Sequence, residues 1–149
     1  MTLKIRDLNE SDLVQVAEIA KLSFAIPWSL KSFEEEFLNS KSILKVAEVN
    51  QEIVGYVVFR RILNEAELLS VAVKPAFRRR GIAKALIEEA MEEIKKYADT
   101  CFLEVRASNT EAINLYEKLG FIKVGIRKNY YILPEEDAII MRRDLKEKG

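Results

Sequence analysis

The chain has 149 residues, 49% of them apolar and 32% charged, which is enough to bury the core of one domain. Its 24 basic and 24 acidic residues cancel, which excludes a chain-wide cationic field for nucleic acid, and a single cysteine, Cys101, excludes an internal disulfide. Histidine is absent, so histidine triads and histidine-ligated metals are excluded, and acid–base chemistry falls to Glu, Asp, Tyr, Lys or Cys101.

Leu3 to Arg6 alternates as a short first strand. Asn9-Glu10-Ser11-Asp12 supplies caps for a helix with Leu13, Val16, Ala17 and Ala20 on one face. Ala25-Ile26-Pro27-Trp28-Ser29 breaks it, and Ser29 caps a second helix whose face is Leu30, Phe33 and Phe37. Trp28 in that break either packs on the core or lines a groove where a peptide lies. Ile43 to Val49 and Glu52 to Ile62 read as strands joined at Asn50-Gln51 as a hairpin. Glu67 to Val73 follows as a buried strand, stopped by Lys74-Pro75.

A long amphipathic helix comes next, with Ala83, Leu86, Ile87, Ala90, Met91, Ile94 and Tyr97 on its apolar face. The junction before it is Arg78-Arg79-Arg80-Gly81-Ile82-Ala83-Lys84. Helix N-termini carry partial positive charge and favour acidic residues, yet this one carries arginines and has no Ser, Thr, Asp or Asn cap. A bound phosphate would satisfy both the free N–H groups and the arginines, with Gly81 allowing close backbone approach. A solvated basic loop with a turn glycine is the alternative. Thr100 to Ala107 is a further strand, so the strand–helix–strand order predicts parallel pairing in a βαβα unit. Ser108-Asn109-Thr110-Glu111 reads as a capping box for a helix with Ala112, Leu115, Tyr116 and Leu119 on its face, ended by Gly120. Phe121 to Tyr131 and Asp137 to Arg143 close the chain as a long-looped hairpin.

Glu104 lies mid-strand and shares a face with Arg106. It is either a charge paired with Arg106 or a lysine, or a base taking a proton from an attacking amine. Tyr116 is either core or a hydroxyl donor in a cleft. Asn109 is either a helix-start residue or a ligand contact. Cys101, in a strand with no basic neighbour, reads as structural and not as a nucleophile.

Arg78-Arg79-Arg80-Gly81-Ile82-Ala83 resembles the acyl-CoA signature R/Q-x-x-G-x-G/A of the GNAT superfamily of N-acetyltransferases, with Ala83 in place of the commoner second glycine. The run Glu104-Val105-Arg106-Ala107-Ser108-Asn109, followed by Ala112, Leu115-Tyr116 and Leu119-Gly120-Phe121, resembles the RimI group within it. Asn129-Tyr130-Tyr131, Glu136 to Met141 and Pro27-Trp28-Ser29 extend that likeness over nearly the whole chain.

The resemblance implies an α/β (α+β) GNAT fold, a mixed twisted sheet of about seven strands with about four helices on its two faces, as one domain over residues 1–149. It implies acetyl-CoA as co-substrate, with no metal, and transfer to a protein N-terminus, expected to be the N-terminal alanine of a ribosomal protein. Glu104 would be the base and Tyr116 the acid that protonates the CoA sulfur. Val71, Ala72 and Val73 would present backbone to the acetyl-pantetheine arm. Arg79, Arg80, Gly81, Ile82, Ala83 and Lys84 would hold the pyrophosphate, and Asn109 would contact CoA. Trp28, Tyr130 and Tyr131 would wall the peptide groove. A lysine or small-amine acceptor and a CoA-binding module without turnover are the alternatives. No nucleic-acid or membrane partner is expected: no stretch approaches the roughly 20 apolar residues of a membrane span. Neither a secretory apolar region near Met1 nor a second cysteine is present, so the expected location is cytoplasmic. The oligomeric state is left open.

Overall fold

The computed structural model describes residues 2–146; the expected domain limits, Met1 and Gly149, lie outside the described residues. In chain order the elements are β1 (Leu3–Asp7), α1 (Leu13–Ser23), α2 (Leu30–Phe37), β2 (Ser42–Val49), β3 (Glu52–Ile62), β4 (Glu65–Val73), α3 (Ile82–Ile94), β5 (Thr100–Arg106), α4 (Thr110–Lys118), β6 (Ile122–Tyr131) and β7 (Glu136–Asp144). The seven strands form one sheet in the order β1-β2-β3-β4-β5-β7-β6, antiparallel except where β4 meets β5. The mixed sheet and the parallel pairing are those expected.

Strand alternation divides the apolar residues between two faces. Val57, Phe59, Leu68, Leu103 and Met141 face Leu86, Ile87, Ile94 and Ile113 on the side of α3 and α4. Leu44, Val46, Tyr56 and Val58 face Val16, Ile19, Ala20 and Phe33 on the side of α1 and α2. The β2–β3 turn places Asn50 at φ 51° and Gln51 at φ 70°, the left-handed pair a two-residue hairpin with right-handed twist requires.

Three local expectations change. Glu10–Asp12 forms a 3₁₀ turn ahead of α1, where Asn9 N donates to Asp12 Oδ2 at 2.8 Å and Arg6 pairs with the buried Asp12 at 2.7 Å. Tyr97 lies beyond α3 and is exposed, with the Arg61 guanidinium 4.7 Å from its ring centroid. The start of α4 is capped by Asn109 and not by Ser108: Asn109 Oδ1 accepts from Ala112 N at 3.1 Å, while Ser108 N donates to Glu136.

One feature of the sheet positions the candidate site. β4 and β5 pair only at Glu65–Thr100, Ala66–Cys101 and Glu67–Phe102. Beyond those positions the two strands run on, to Val73 and Arg106, without pairing to each other. A bulge at Leu69 opens the same region, since Val58 pairs with Ser70 and Phe59 with Leu68. Bulges bend a strand and raise its local twist, which turns β4 away from β5.

Candidate active site

The split between β4 and β5 has four candidate walls, each a group expected from the sequence. The first is Val71, Ala72 and Val73, which pair with Val57, Tyr56 and Gly55 of β3 and not with β5. Gly55 sets how closely β4 lies on β3. A Cβ there would meet Ala72 O at 3.0 Å, Val73 Cγ2 at 3.2 Å and Leu86 Cδ1 at 3.3 Å.

The second wall is the basic turn before α3. Arg79 (φ 63°) and Gly81 (φ 77°) take left-handed backbone, the conformation that favours glycine at the helix start. The first helical bond runs from Ala85 N to Gly81 O, so the amides of Ile82, Ala83 and Lys84 precede the ladder. No side-chain cap and no acidic residue occupies the first turn. A Cβ on Gly81 would meet nothing within 4 Å, so the backbone faces open space. Arg78 turns back on the fold, with Nε donating to Val73 O at 3.1 Å and Nη2 to Ser23 Oγ at 3.3 Å. Arg80 lies over the Phe77 ring at 5.3 Å. The Ile82 side chain is buried in the core, so only its backbone can serve the turn, and Lys84 Nζ lies 3.8 Å from Glu88.

The third wall is Glu104 on β5. Its Oε1 accepts from Arg127 Nη1 at 2.8 Å, while its Oε2 is buried and has no hydrogen-bond partner among the described residues. Arg106 shares the face, as expected, yet it does not pair with Glu104. Its guanidinium is drawn to the β6–β7 loop, donating to Pro134 O at 2.8 Å, Leu133 O at 3.2 Å and Glu136 at 3.3 Å. Arg127 lies 4.8 Å from the Tyr130 centroid, Tyr130 and Tyr131 meet edge-on at 5.1 Å, and Arg106 lies 4.4 Å from Tyr131.

The fourth wall is Tyr116 on α4, buried beside Phe121 with ring centroids 6.1 Å apart. Burial, then the nearby Tyr131, pushes its hydroxyl up to about 12, so it stays protonated. Burial, then the Glu104 charge, pushes Tyr131 to about 12 as well. Tyr131 thus lies within electrostatic reach of both Glu104 and Tyr116. Asn109 spends its carbonyl oxygen on the α4 cap, which is the helix-start reading of that residue.

Glu104 also lines a cavity of about 320 Å³ with Arg60, Ile62, Glu65, Ala66, Glu67, Phe102 and Ile140. Burial, then the Glu104 charge, raises Glu67 above the ordinary carboxylate range. A neighbouring cavity of about 220 Å³ is lined by Trp28, Ser32, Glu35, Glu36 and Arg60. Trp28 packs on Phe33 at 5.1 Å, so its ring serves the core while the residue also lines this cavity. Cys101 is fully buried and its thiol is pushed up to about 12 by that burial, which agrees with the structural reading. Glu67, Arg60 and Arg127 were not singled out from the sequence. Each reads in the sequence as an ordinary surface charge on a strand, and the grouping becomes specific only once the strands are paired.

Residues 13–121 match the model of the acetyltransferase (GNAT) family. The chain belongs to that family. This acetyltransferase is 39% identical over 144 residues to ribosomal protein bS18-alanine N-acetyltransferase of Escherichia coli (strain K12), covering 92% of this chain and 94% of that protein. It is 33% identical over 156 residues to an N-alpha-acetyltransferase of Sulfurisphaera tokodaii, covering 95% and 93%. The crystal structure of the ribosomal-protein-S18-alanine N-acetyltransferase from Escherichia coli matches with a TM-score of 0.91 at 36% identity, covering 99% of this chain and 97% of that one. The acetyltransferase is therefore an N-acetyltransferase of the expected fold, similar to the RimI group. Among the described residues no helix is long and apolar enough to cross a membrane.

Proposed function

We propose that this acetyltransferase moves acetyl from acetyl-CoA to the α-amino group of a protein N-terminus, with the N-terminal alanine of ribosomal protein bS18 as first candidate acceptor. The names of its bacterial and archaeal relatives support an α-amine acceptor. The observation that carries the chemistry is the orphaned Oε2 of Glu104. A buried carboxylate oxygen without a donor is costly, and an acceptor N–H supplies one.

The basic turn fits the co-substrate. Left-handed Gly81 with open space before it, uncapped amides at Ile82 to Lys84 and arginines at 79 and 80 suit a diphosphate. Acetyl-CoA supplies the activated acyl group when bound. Val71 to Val73 pair with β3 but not with β5, and on that open side an N–H can steady the carbonyl oxygen. Glu104 takes the proton that the amine loses as its nitrogen bonds the acyl carbon. Tyr116, still protonated, gives its proton to the sulfur as the carbon–sulfur bond breaks. Trp28, Tyr130 and Tyr131 border the acceptor's approach, and Asn109 contacts CoA through what remains of its amide.

An α-amine has a pKa near 8 and a lysine near 10.4, so lysine costs roughly 3.4 kcal/mol more to become the neutral nucleophile. One carboxylate base manages the α-amine more readily. We place the reaction in the cytoplasm, in keeping with a chain whose single thiol has no partner.

Mass spectrometry after incubation with acetyl-CoA tests this reading. The panel is an Ala-initiated peptide, an N-blocked peptide with an internal lysine, and a small amine, each run with the parent and with Glu104→Gln. Acetyl on the first residue, lost in the variant, is expected. Acetyl confined to lysine or to the small amine overturns the acceptor, and an undiminished variant overturns Glu104 as base.

A further inference from the structure

We infer that Arg127 is a positioning residue for this reaction: it fixes Glu104 through Oε1 and thereby leaves Oε2 as the oxygen turned to the acceptor amine. The inference rests on the reading of Glu104 as base. A glutamate carboxylate rotates freely about its last torsion unless something holds it. The hydrogen bond holding this one is the 2.8 Å bond from Arg127 Nη1.

The other charged groups around Glu104 do not replace that bond. Glu67 on β4 carries like charge and opposes Glu104 electrostatically. Arg60 on β3 is committed to Glu36, with contacts of 2.8 and 2.6 Å. Arg106 on β5 is committed to the β6–β7 loop. Tyr130 on β6, itself lying against the Arg127 guanidinium, adds a side-chain hydrogen-bonding interaction with Glu104, whereas Tyr131 couples to it only electrostatically.

Arg127 is itself held by a built feature. β6 advances from Arg127 to Tyr131 while β7 advances only from Ala138 to Glu136, which leaves extra residues on β6. Asn129 takes φ 53° at this bulge, and its N–H donates to Asp137 Oδ1 at 2.9 Å. In a regular strand residues 127 and 130 would point to opposite faces. The bulge brings Tyr130 round to lie against the Arg127 guanidinium. The Arg127 side chain is also half exposed, at 52%, against 19% for Glu104. Exposed ion pairs add little to stability, so a purely structural reason for this arrangement is weak.

The test compares Arg127→Ala, Arg127→Lys, Glu104→Gln and the Glu104→Gln/Arg127→Ala pair, with an N-terminal peptide as acceptor. Arg127→Ala is expected to lower kcat about 10- to 100-fold, with the KM for acetyl-CoA within about twofold of the parent. Arg127→Lys, which keeps a cationic donor, recovers part of the loss. In the Glu104→Gln background the same Ala change has less than about a twofold effect, because the residue acts through Glu104. Unchanged or increased kcat in Arg127→Ala overturns the inference, and increased kcat would mean that the guanidinium merely occupies the acceptor's place. An equal loss in both backgrounds also overturns it. If Glu104→Gln keeps the parent's kcat, the base reading fails, and the inference falls with it for a separately visible reason.

Discussion

Gly55→Ala tests whether packing between β3 and β4 sets the proposed acetyl-CoA wall. The added methyl would sit 3.0 Å from Ala72 O, 3.2 Å from Val73 Cγ2 and 3.3 Å from Leu86 Cδ1. The leucine methyl can rotate away, but the carbonyl moves only with its strand, by a few tenths of an ångström. Overpacking of this kind costs about 1–3 kcal/mol. Gly55 is not in left-handed backbone, so the usual gain of about 0.4–1 kcal/mol from Gly→Ala applies in opposition. A net loss of about 1–2 kcal/mol lowers Tm by about 2–8 °C in a chain of this size. The same displacement at Ala72 and Val73 raises the KM for acetyl-CoA by about 3- to 10-fold. Thermal unfolding and steady-state kinetics of thiol release measure the two effects. Gly125→Ala is the control, since its methyl meets Ile140 Cδ1 at an ordinary 3.5 Å. If Gly55→Ala matches the parent in both Tm and KM, close packing at Gly55 does not hold β4 in place.

Tyr116→Phe is expected to lower kcat by at least about tenfold with the fold intact; parent-like kcat in a pH series removes the acid role. Arg80→Glu is expected to weaken acetyl-CoA binding, and more so at low ionic strength, so a loss independent of salt would remove the electrostatic account. Cys101, buried with its thiol pushed up to about 12, should not react with a disulfide reagent in the native protein and should titrate as one thiol after unfolding; reaction before unfolding contradicts the burial. Glu36 is held below its ordinary value of 4.5 by Arg60, against an opposing effect of burial, with Ser42 adding to the lowering. A depressed folded-state value gives stability that is present above the unfolded value and lost as pH falls through the folded one. The Tm gap between the parent and Glu36→Gln should therefore narrow as pH drops below about 4.5, and a gap constant with pH would refute the linkage.

Much of this architecture was legible because its signals are local. The periodicity of Ala83, Leu86, Ile87, Ala90 and Met91 is a property of one segment, and so is the Asn50-Gln51 turn. The crowding of arginines before an uncapped helix is equally local, which is why the basic turn could be read as an anion seat. The partner of Glu104 was not legible. Strand parity correctly placed Arg106 beside it, yet carbonyls near Pro134 and the Glu136 carboxylate draw Arg106 away. Arg127 takes its place from β6 across β7, a juxtaposition that no short-range pattern reveals. Glu67 was missed for a related reason. An exposed glutamate on alternating strand positions reads as a plain surface charge until β5 is laid beside β4 and brings Glu104 near it. Ser108 and Asn109 show the limit at one residue: both are good caps, and Glu136 decides between them by accepting the Ser108 amide.

The break in the sheet has a consequence for how the molecule can be divided. Residues before Ala98 form one continuous antiparallel set with the amphipathic helix, and residues after Asp99 form another. The two fragments join at the three β4–β5 pairs, at the bond from Asp99 N to Asn64 O, and along the core formed by Ile87, Ala90 and Ile94 with Cys101, Leu103 and Met141. The arginine-rich turn belongs to the first fragment, and Glu104, Tyr116 and Arg127 to the second. A chain cut at Ala98–Asp99 is therefore expected to transfer acetyl only where the two pieces reassemble, because neither carries the whole of the proposed site.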